Sequence, residues 1–294
     1  MIKSKIHLGL VTFLTGLSCL ASLPAHAGLF KGIVIGVVGG IAGNAVAKTI
    51  ESSAQAKPES GSPVNAALPP IANGFSACAN LFPKNIPIRM DALNREWKPK
   101  ALCFDDFAIL YSGLSKTPMV TVELLSSAKL ADAKDEKRTD NFFADTRLGA
   151  AERADLADYR GSGYDRGHLA PAANRPNELA MNQSFALSNM IPQDPTNNRK
   201  IWAKIESDVR KYVRRAPGNV YVFSGPIFNS AVGEQKTIGR NQVWVPAQMF
   251  KLVFDQASGR SWAYILDNTA TAQINAPMDY AQFVKTTGWQ LLPQ

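Results

Sequence analysis

The chain has 294 residues, with 32 Lys and Arg against 24 Asp and Glu, a formal charge of +8. That excess of base suits a polyanionic partner, nucleic acid or an anionic membrane surface. Only three histidines are present, and two of them, His7 and His26, fall in an expected leader. His168 is then the one imidazole left, which excludes any two-histidine zinc site and with it HExxH-type proteolysis.

Residues 1–27 have the form of a secretory signal. Lys3 and Lys5 make the positive start, Leu8 to Leu20 is an apolar core, and Ala25-His26-Ala27 has the small-x-small form of a cleavage site. The apolar run is short for a membrane span of about 20 residues. The expectation is therefore export to the periplasm or the exterior. Without Lys3 and Lys5 the chain carries +6. Loss of Cys19 with the leader leaves Cys78 and Cys103, and an oxidising compartment then leads us to expect one disulfide between them.

Residues 28–50 form a glycine-spaced apolar run. Gly32, Gly36 and Gly40 recur every four residues, as do Gly39 and Gly43, which on a helix puts glycines on one or two stripes and permits close helix approach. Lys31 and Lys48 bracket a stretch marginal for a full span. Two readings stand: a membrane-associating or self-associating helix, and a mobile apolar extension. Residues 51–74, rich in Ser, Ala, Pro and Gly, read as a flexible linker, because they bury too little apolar surface to repay their ordering.

Residues 75–294 are expected to form one domain. Phe107–Tyr111 and Met119–Leu125 flank a turn-forming stretch and read as a hairpin. Val220–Ser224 runs into Gly225-Pro226. Phe250–Phe254 and Ser261–Leu266 lie on either side of a glycine turn. One helix stands between these strands. Asp194 caps it, Pro195 opens it, and Ile201, Ile205, Val209 and Tyr212 supply a core-facing stripe up to Ala216-Pro217-Gly218.

A second stripe runs down the same helix: Asn198, Trp202, Glu206 and Arg210, each four residues on. An amide oxygen, a carboxylate and a guanidinium in line make either a site wall or a solvated face with a Glu206–Arg210 pair. His168 lies in Asp165-Arg166-Gly167-His168-Leu169-Ala170-Pro171. Residues i and i+2 of an extended segment project to one side, so Arg166 is able to clamp an anion while His168 takes a proton beside it. Gly167 between them admits a close neighbour.

This segment resembles the signature of the DNA/RNA non-specific endonucleases of the ββα-metal type. The resemblance continues in order through Ser188–Gln193, through Asn197-Asn198 with Trp202 and Glu206, and through Val222–Pro226 and Val245-Pro246 with Phe250-Lys251. It covers most of residues 75–270. It implies an α+β fold with a central antiparallel sheet flanked by helices, and hydrolysis of DNA and RNA with little sequence specificity. Residue by residue, it implies His168 as general base, Asn198 as the one protein ligand of Mg²⁺ (Mn²⁺ substituting), and Glu206 acting on the metal's water shell. Arg166 and Arg210 would face the scissile phosphate, Asn189 would support the site and its substrate, and Arg138 is the expected further arginine. An inhibitor protein that restrains such an enzyme is a further expectation. Two other readings compete: a nucleic-acid-binding module without catalysis, and a membrane-associated, toxin-like protein with the nuclease as payload.

Overall fold

The computed structural model describes residues 68–91, 93–134, 136–228 and 235–293. The expected leader, the glycine-spaced segment 28–50 and the linker up to residue 67 lie outside the described residues. Among the described residues no helix is long and apolar enough to cross a membrane.

The strands are β1 (Pro99–Cys103), β2 (Phe107–Ser112), β3 (Thr117–Leu125), β4 (Asp165–His168), β5 (Met190–Gln193), β6 (Val220–Ile227), β7 (Thr237–Ile238), β8 (Val243–Trp244), β9 (Gln248–Asp255) and β10 (Ser261–Asp267). The helices are α1 (Ser127–Asp132), α2 (Leu156–Tyr159), α3 (Glu178–Ser184), α4 (Ala203–Val213) and α5 (Tyr280–Thr287). Six strands make one antiparallel sheet in the order β1-β2-β3-β6-β9-β10, so the α+β class with a central antiparallel sheet holds. The hairpin of β2 and β3 and that of β9 and β10 form where the alternating apolar runs place them. β1 was not legible: Pro99 and Lys100 at its start hide a strand whose last three residues are buried.

The sheet is covered on both faces. One face presents Leu110, Val122, Phe223, Phe250 and Leu252 to an apolar layer that includes Phe82, Phe283 of α5 and the Cys78–Cys103 bridge. The other presents Val220, Val222 and Val253 to α4, which answers with Ile205, Val209 and Val213. The expected core stripe of the helix is thus the one that docks.

Residues 68–74 depart from the linker reading. Leu68 and Ile71 pack beside Leu102, Phe104 and Tyr111. Arg147 Nη1 donates to Pro69 O at 2.9 Å and to Cys103 O at 3.0 Å, and its other nitrogens bind Asp145. Two apolar side chains and a shared guanidinium suffice to order a stretch whose composition alone predicts none.

β4 and β5 form a separate antiparallel ribbon, with Arg166 opposite Pro192 and His168 opposite Met190. Gly167 sits against Gln193, whose side chain occupies the space a Cβ would need. The close neighbour there is therefore a side chain of the partner strand. Immediately after β5, Asp194 Oδ1 accepts from the backbone N–H groups of Thr196 and Asn197, both at 2.9 Å, and the helix begins. Ribbon and helix together are the ββα unit.

Candidate active site

The helix does not start as an α-helix. Asn197–Trp202 is a π-turn, and the α-helical pattern of α4 follows it. π-turns are rare and concentrate at functional positions. Here the turn carries Asn198. The Asn198 amide is oriented by its neighbour: Nδ2 donates to Asp165 Oδ2 at 2.9 Å, and a carboxylate accepts only, so the amide nitrogen must face it. That leaves the Asn198 carbonyl oxygen as the group with acceptor capacity for a cation. Asp165 also receives both Nε and Nη2 of Arg199, at 2.8 and 2.6 Å. Against the effect of burial, these hydrogen bonds from Arg199 and Asn198 hold Asp165 below the usual carboxylate range, so it stays ionised and keeps its grip.

His168 and Arg166 do project to one side of β4, and both meet Phe142. The Arg166 guanidinium carbon lies 4.0 Å from the Phe142 ring centroid, and the His168 ring lies 5.5 Å from it. Phe185 meets His168 edge-on at 5.0 Å and Phe142 at 4.9 Å, and the Arg138 guanidinium carbon stands 5.1 Å from the Phe185 centroid. Two phenyl rings thus act as a hub that aims one imidazole and two guanidiniums. His168 is 9% exposed, and its Nε2 makes no hydrogen bond to the described residues. Burial first, then the charges of Arg138, Arg175 and Arg166, push its pKa down to about 3. The ring is neutral at pH 7, as a base must be.

Glu206 is half-buried, and burial pushes its pKa up to about 7, opposed by Lys251 and Arg210. The Trp202 indole N–H has no well-formed hydrogen-bond partner but lies close enough to favour the ionised carboxylate. Eight residues separate Asn198 from Glu206, which on an ideal α-helix is about 12 Å of rise. The π-turn lies between them, so Glu206 stands on the regular part of the helix, beyond the turn that carries Asn198. Arg210 Nη1 donates to Asn174 Oδ1 at 3.3 Å, and Asn174 Nδ2 donates to Glu123 Oε1 at 3.0 Å.

Asn189 is placed otherwise than as a substrate contact. It is fully buried; Nδ2 donates to Ala170 O and Ser184 O, both at 2.9 Å, and Oδ1 accepts from Ala170 N at 3.0 Å. Every strong capacity of the amide is used to brace the backbone that follows His168. That is support, and it leaves nothing for a phosphate.

A buried charge cluster beneath the helix was not foreseen. Arg175, fully buried, pairs with Glu123 and, at 2.9 Å, with Asp106, which Lys129 also engages. Lys251, 1% exposed, donates to Ser224 Oγ at 2.6 Å and lies 4.7 Å from the Trp202 ring centroid. Thr121, Glu123, Ser224 and Lys251 share the sheet face that α4 covers, because Ser224 pairs with both Thr121 and Lys251, and Glu123 stands two residues along from Thr121. Among the described residues no group of three or more His, Cys, Asp or Glu could hold a metal. A zinc-type cage is therefore not what these residues build. One oriented amide oxygen, with a carboxylate further along the same helix, fits a hard, largely hydrated divalent ion.

A family model for DNA/RNA non-specific endonucleases matches residues 91–290. The chain belongs to that family. Among similar proteins, human mitochondrial endonuclease G is 36% identical over 185 residues, 60% of each chain. A nuclease of Nostoc sp. is 34% identical over 178 residues, covering 60% of this chain and 62% of its own. Nuclease C1 of Cunninghamella echinulata is 35% identical over 179 residues, 56% of this chain and 70% of its own. The match to endonuclease G spans about three fifths of the length of the human and bovine proteins. A solved structure of an EndoG/EndoGI complex aligns with a TM-score of 0.57 and 25% identity, covering 67% of this chain and 85% of that one. These likenesses agree with the ββα unit and the central sheet.

Proposed function

We propose that the protein is an exported, metal-dependent endonuclease that hydrolyses phosphodiester bonds of DNA and RNA with little regard to sequence. One observation carries this reading: a neutral buried imidazole and two guanidiniums share an aromatic hub, beside a helix bearing Asn198, Glu206 and Arg210. Arg166, Arg138 and Arg210 bind the phosphoryl oxygens of the scissile diester. His168 accepts a proton from the attacking water; the water oxygen bonds to phosphorus, the P–O3′ bond breaks, and O3′ takes up a proton from solvent. The products carry a 5′-phosphate and a 3′-hydroxyl.

Asn198 would hold Mg²⁺, or Mn²⁺ in its place, with Glu206 acting through intervening solvent. When bound, the ion supplies positive charge to the phosphoryl and leaving oxygens. Asp165 keeps the Asn198 carbonyl free for that role by occupying its amide nitrogen. Arriving phosphate offsets the arginine charges that depress His168, so substrate binding strengthens the base it is about to use.

Residues 1–27 would direct export, residues 28–50 would be free to associate with a membrane or with another copy, and the nuclease takes in residues 68–74 together with 75–294. A protein inhibitor is a natural partner, supported by the likeness to EndoG solved with EndoGI.

The test is digestion of supercoiled plasmid and of total RNA by the full chain, with Mg²⁺, with EDTA, and with His168→Ala in parallel. Metal-dependent cleavage of both substrates, lost in His168→Ala, is expected. A folded wild-type protein that binds both substrates and cuts neither would move the assignment to a binding module.

A further inference from the structure

Resting on that reading, we propose a second phosphate subsite next to the scissile one. A cleft of about 310 Å³ adjoins the site and is lined by Lys134, Arg138, Arg210 and Arg214, with Glu136 as the one acid among the described residues and Leu130 on its apolar side. Arg138 and Arg210 belong to the site already described; Lys134 and Arg214 extend it. Arg214 lies four residues beyond Arg210, so it continues the line of Glu206 and Arg210 by about one helical turn, 5.4 Å. Lys134 reaches the same cleft from a distant part of the sequence. It follows α1, and α1 rests on the end of α4: Leu130 packs in one cluster with Val209 and Val213, and Ser127 Oγ donates to Arg214 O at 3.4 Å.

Among the described residues, four cations face one acid in this cleft, and like charges so gathered repel one another. Among the described residues, neither Lys134 nor Arg214 is paired with an acid, and Arg138 pairs only with Asp140, on the exposed surface. Packing alone has no use for this arrangement. An anion that enters the cleft relieves the repulsion. The scissile phosphate already engages Arg138 and Arg210, so the anion beyond it is the neighbouring backbone phosphodiester of the same polynucleotide. The subsite reads no base edge, in keeping with a sequence-tolerant enzyme. It also favours a chain of several nucleotides over an isolated diester.

The structural alternative is that Arg214 only complements the negative end of α4. Salt dependence separates the two. The probe is a fluorescein-labelled duplex oligonucleotide, bound by the full chain carrying His168→Ala so that it is not cut. Replacing both Lys134→Gln and Arg214→Gln should weaken binding roughly tenfold and flatten the slope of log affinity against log salt by about 0.9, one phosphate contact. Glu136→Gln should act in the opposite direction and tighten binding, an outcome no folding defect produces. An unchanged slope in a folded double variant, together with no gain from Glu136→Gln, would overturn the subsite. A His168→Ala parent that binds no oligonucleotide at all would overturn the nuclease reading as well, whereas binding by the parent with unaltered variants defeats the subsite alone.

Discussion

The two faces of the central sheet are built from the same strands and do different work. On the face toward α5, Leu110, Val122, Phe223, Phe250 and Leu252 pack against other apolar side chains and a disulfide. On the face toward α4, residues one position away in the same strands include Thr121, Glu123, Ser224 and Lys251, all at most 1% exposed. Hydrophobic burial stabilises the first face in proportion to its area. The second gives up part of that stability to hold charges under the helix of the site, where each must be satisfied by another. Stability and catalysis should therefore separate by face when residues are replaced.

Arg175 offers the sharpest break. Arg175→Ala leaves Glu123 and Asp106 buried without their guanidinium, at a cost of about 3–5 kcal/mol. Chemical denaturation should show a lowered midpoint or no folded protein. On the other face, opening the Cys78–Cys103 bridge, whose residues are 25 apart in sequence, should cost about 3 kcal/mol of stability. The rate of the molecules that remain folded should not change, and a reductant titration read by both thermal unfolding and plasmid cleavage checks the split. A matching loss of rate would erase the distinction between the faces.

Lys251→Met keeps the bulk of the side chain and removes the charge beside Glu206 and Glu123. Activity should fall roughly 10- to 100-fold, as for other groups that orient a site from behind, with a far smaller change in melting temperature. Steady-state kinetics beside calorimetry would show whether the loss is catalytic. The last prediction concerns pH. His168 is neutral in the fold down to about pH 3 but titrates near 6.5 when unfolded. Its contribution to stability is present above 6.5 and is lost as pH falls from there toward 3. In kinetics, bound phosphate offsets the arginine charges and raises the pKa of His168. The acid limb of kcat should then lie at higher pH than that of kcat/KM, and coincident limbs would refute that coupling.

Much of this was legible beforehand for a physical reason. Alternating apolar runs report strands, and Ile205 and Val209 report a docked helix face, because burial leaves a periodic trace. Arg166 and His168 at spacing two report a shared side of an extended segment. The rest leaves no local trace. Thr121 and Glu123 alternate with apolar residues as a solvent-facing row would, yet a helix covers them. Arg175 reads as a loop cation and is a core strut. Phe142 and Phe185, which flank His168, are ordinary apolar residues until the fold brings them to it. The π-turn at Asn197–Trp202 breaks the ideal helix spacing on which the stripe from Asn198 to Arg210 was read.

The central claim is that His168 acts as the base, and imidazole rescue tests it most directly. His168→Ala leaves a space edged by Phe142 and Phe185. Cleavage of a labelled oligonucleotide by this variant with Mg²⁺ should be negligible, and added imidazole should restore it in proportion to the neutral form of the buffer. If His168→Ala cleaves as fast as the wild type without imidazole, the base lies elsewhere and the account is wrong.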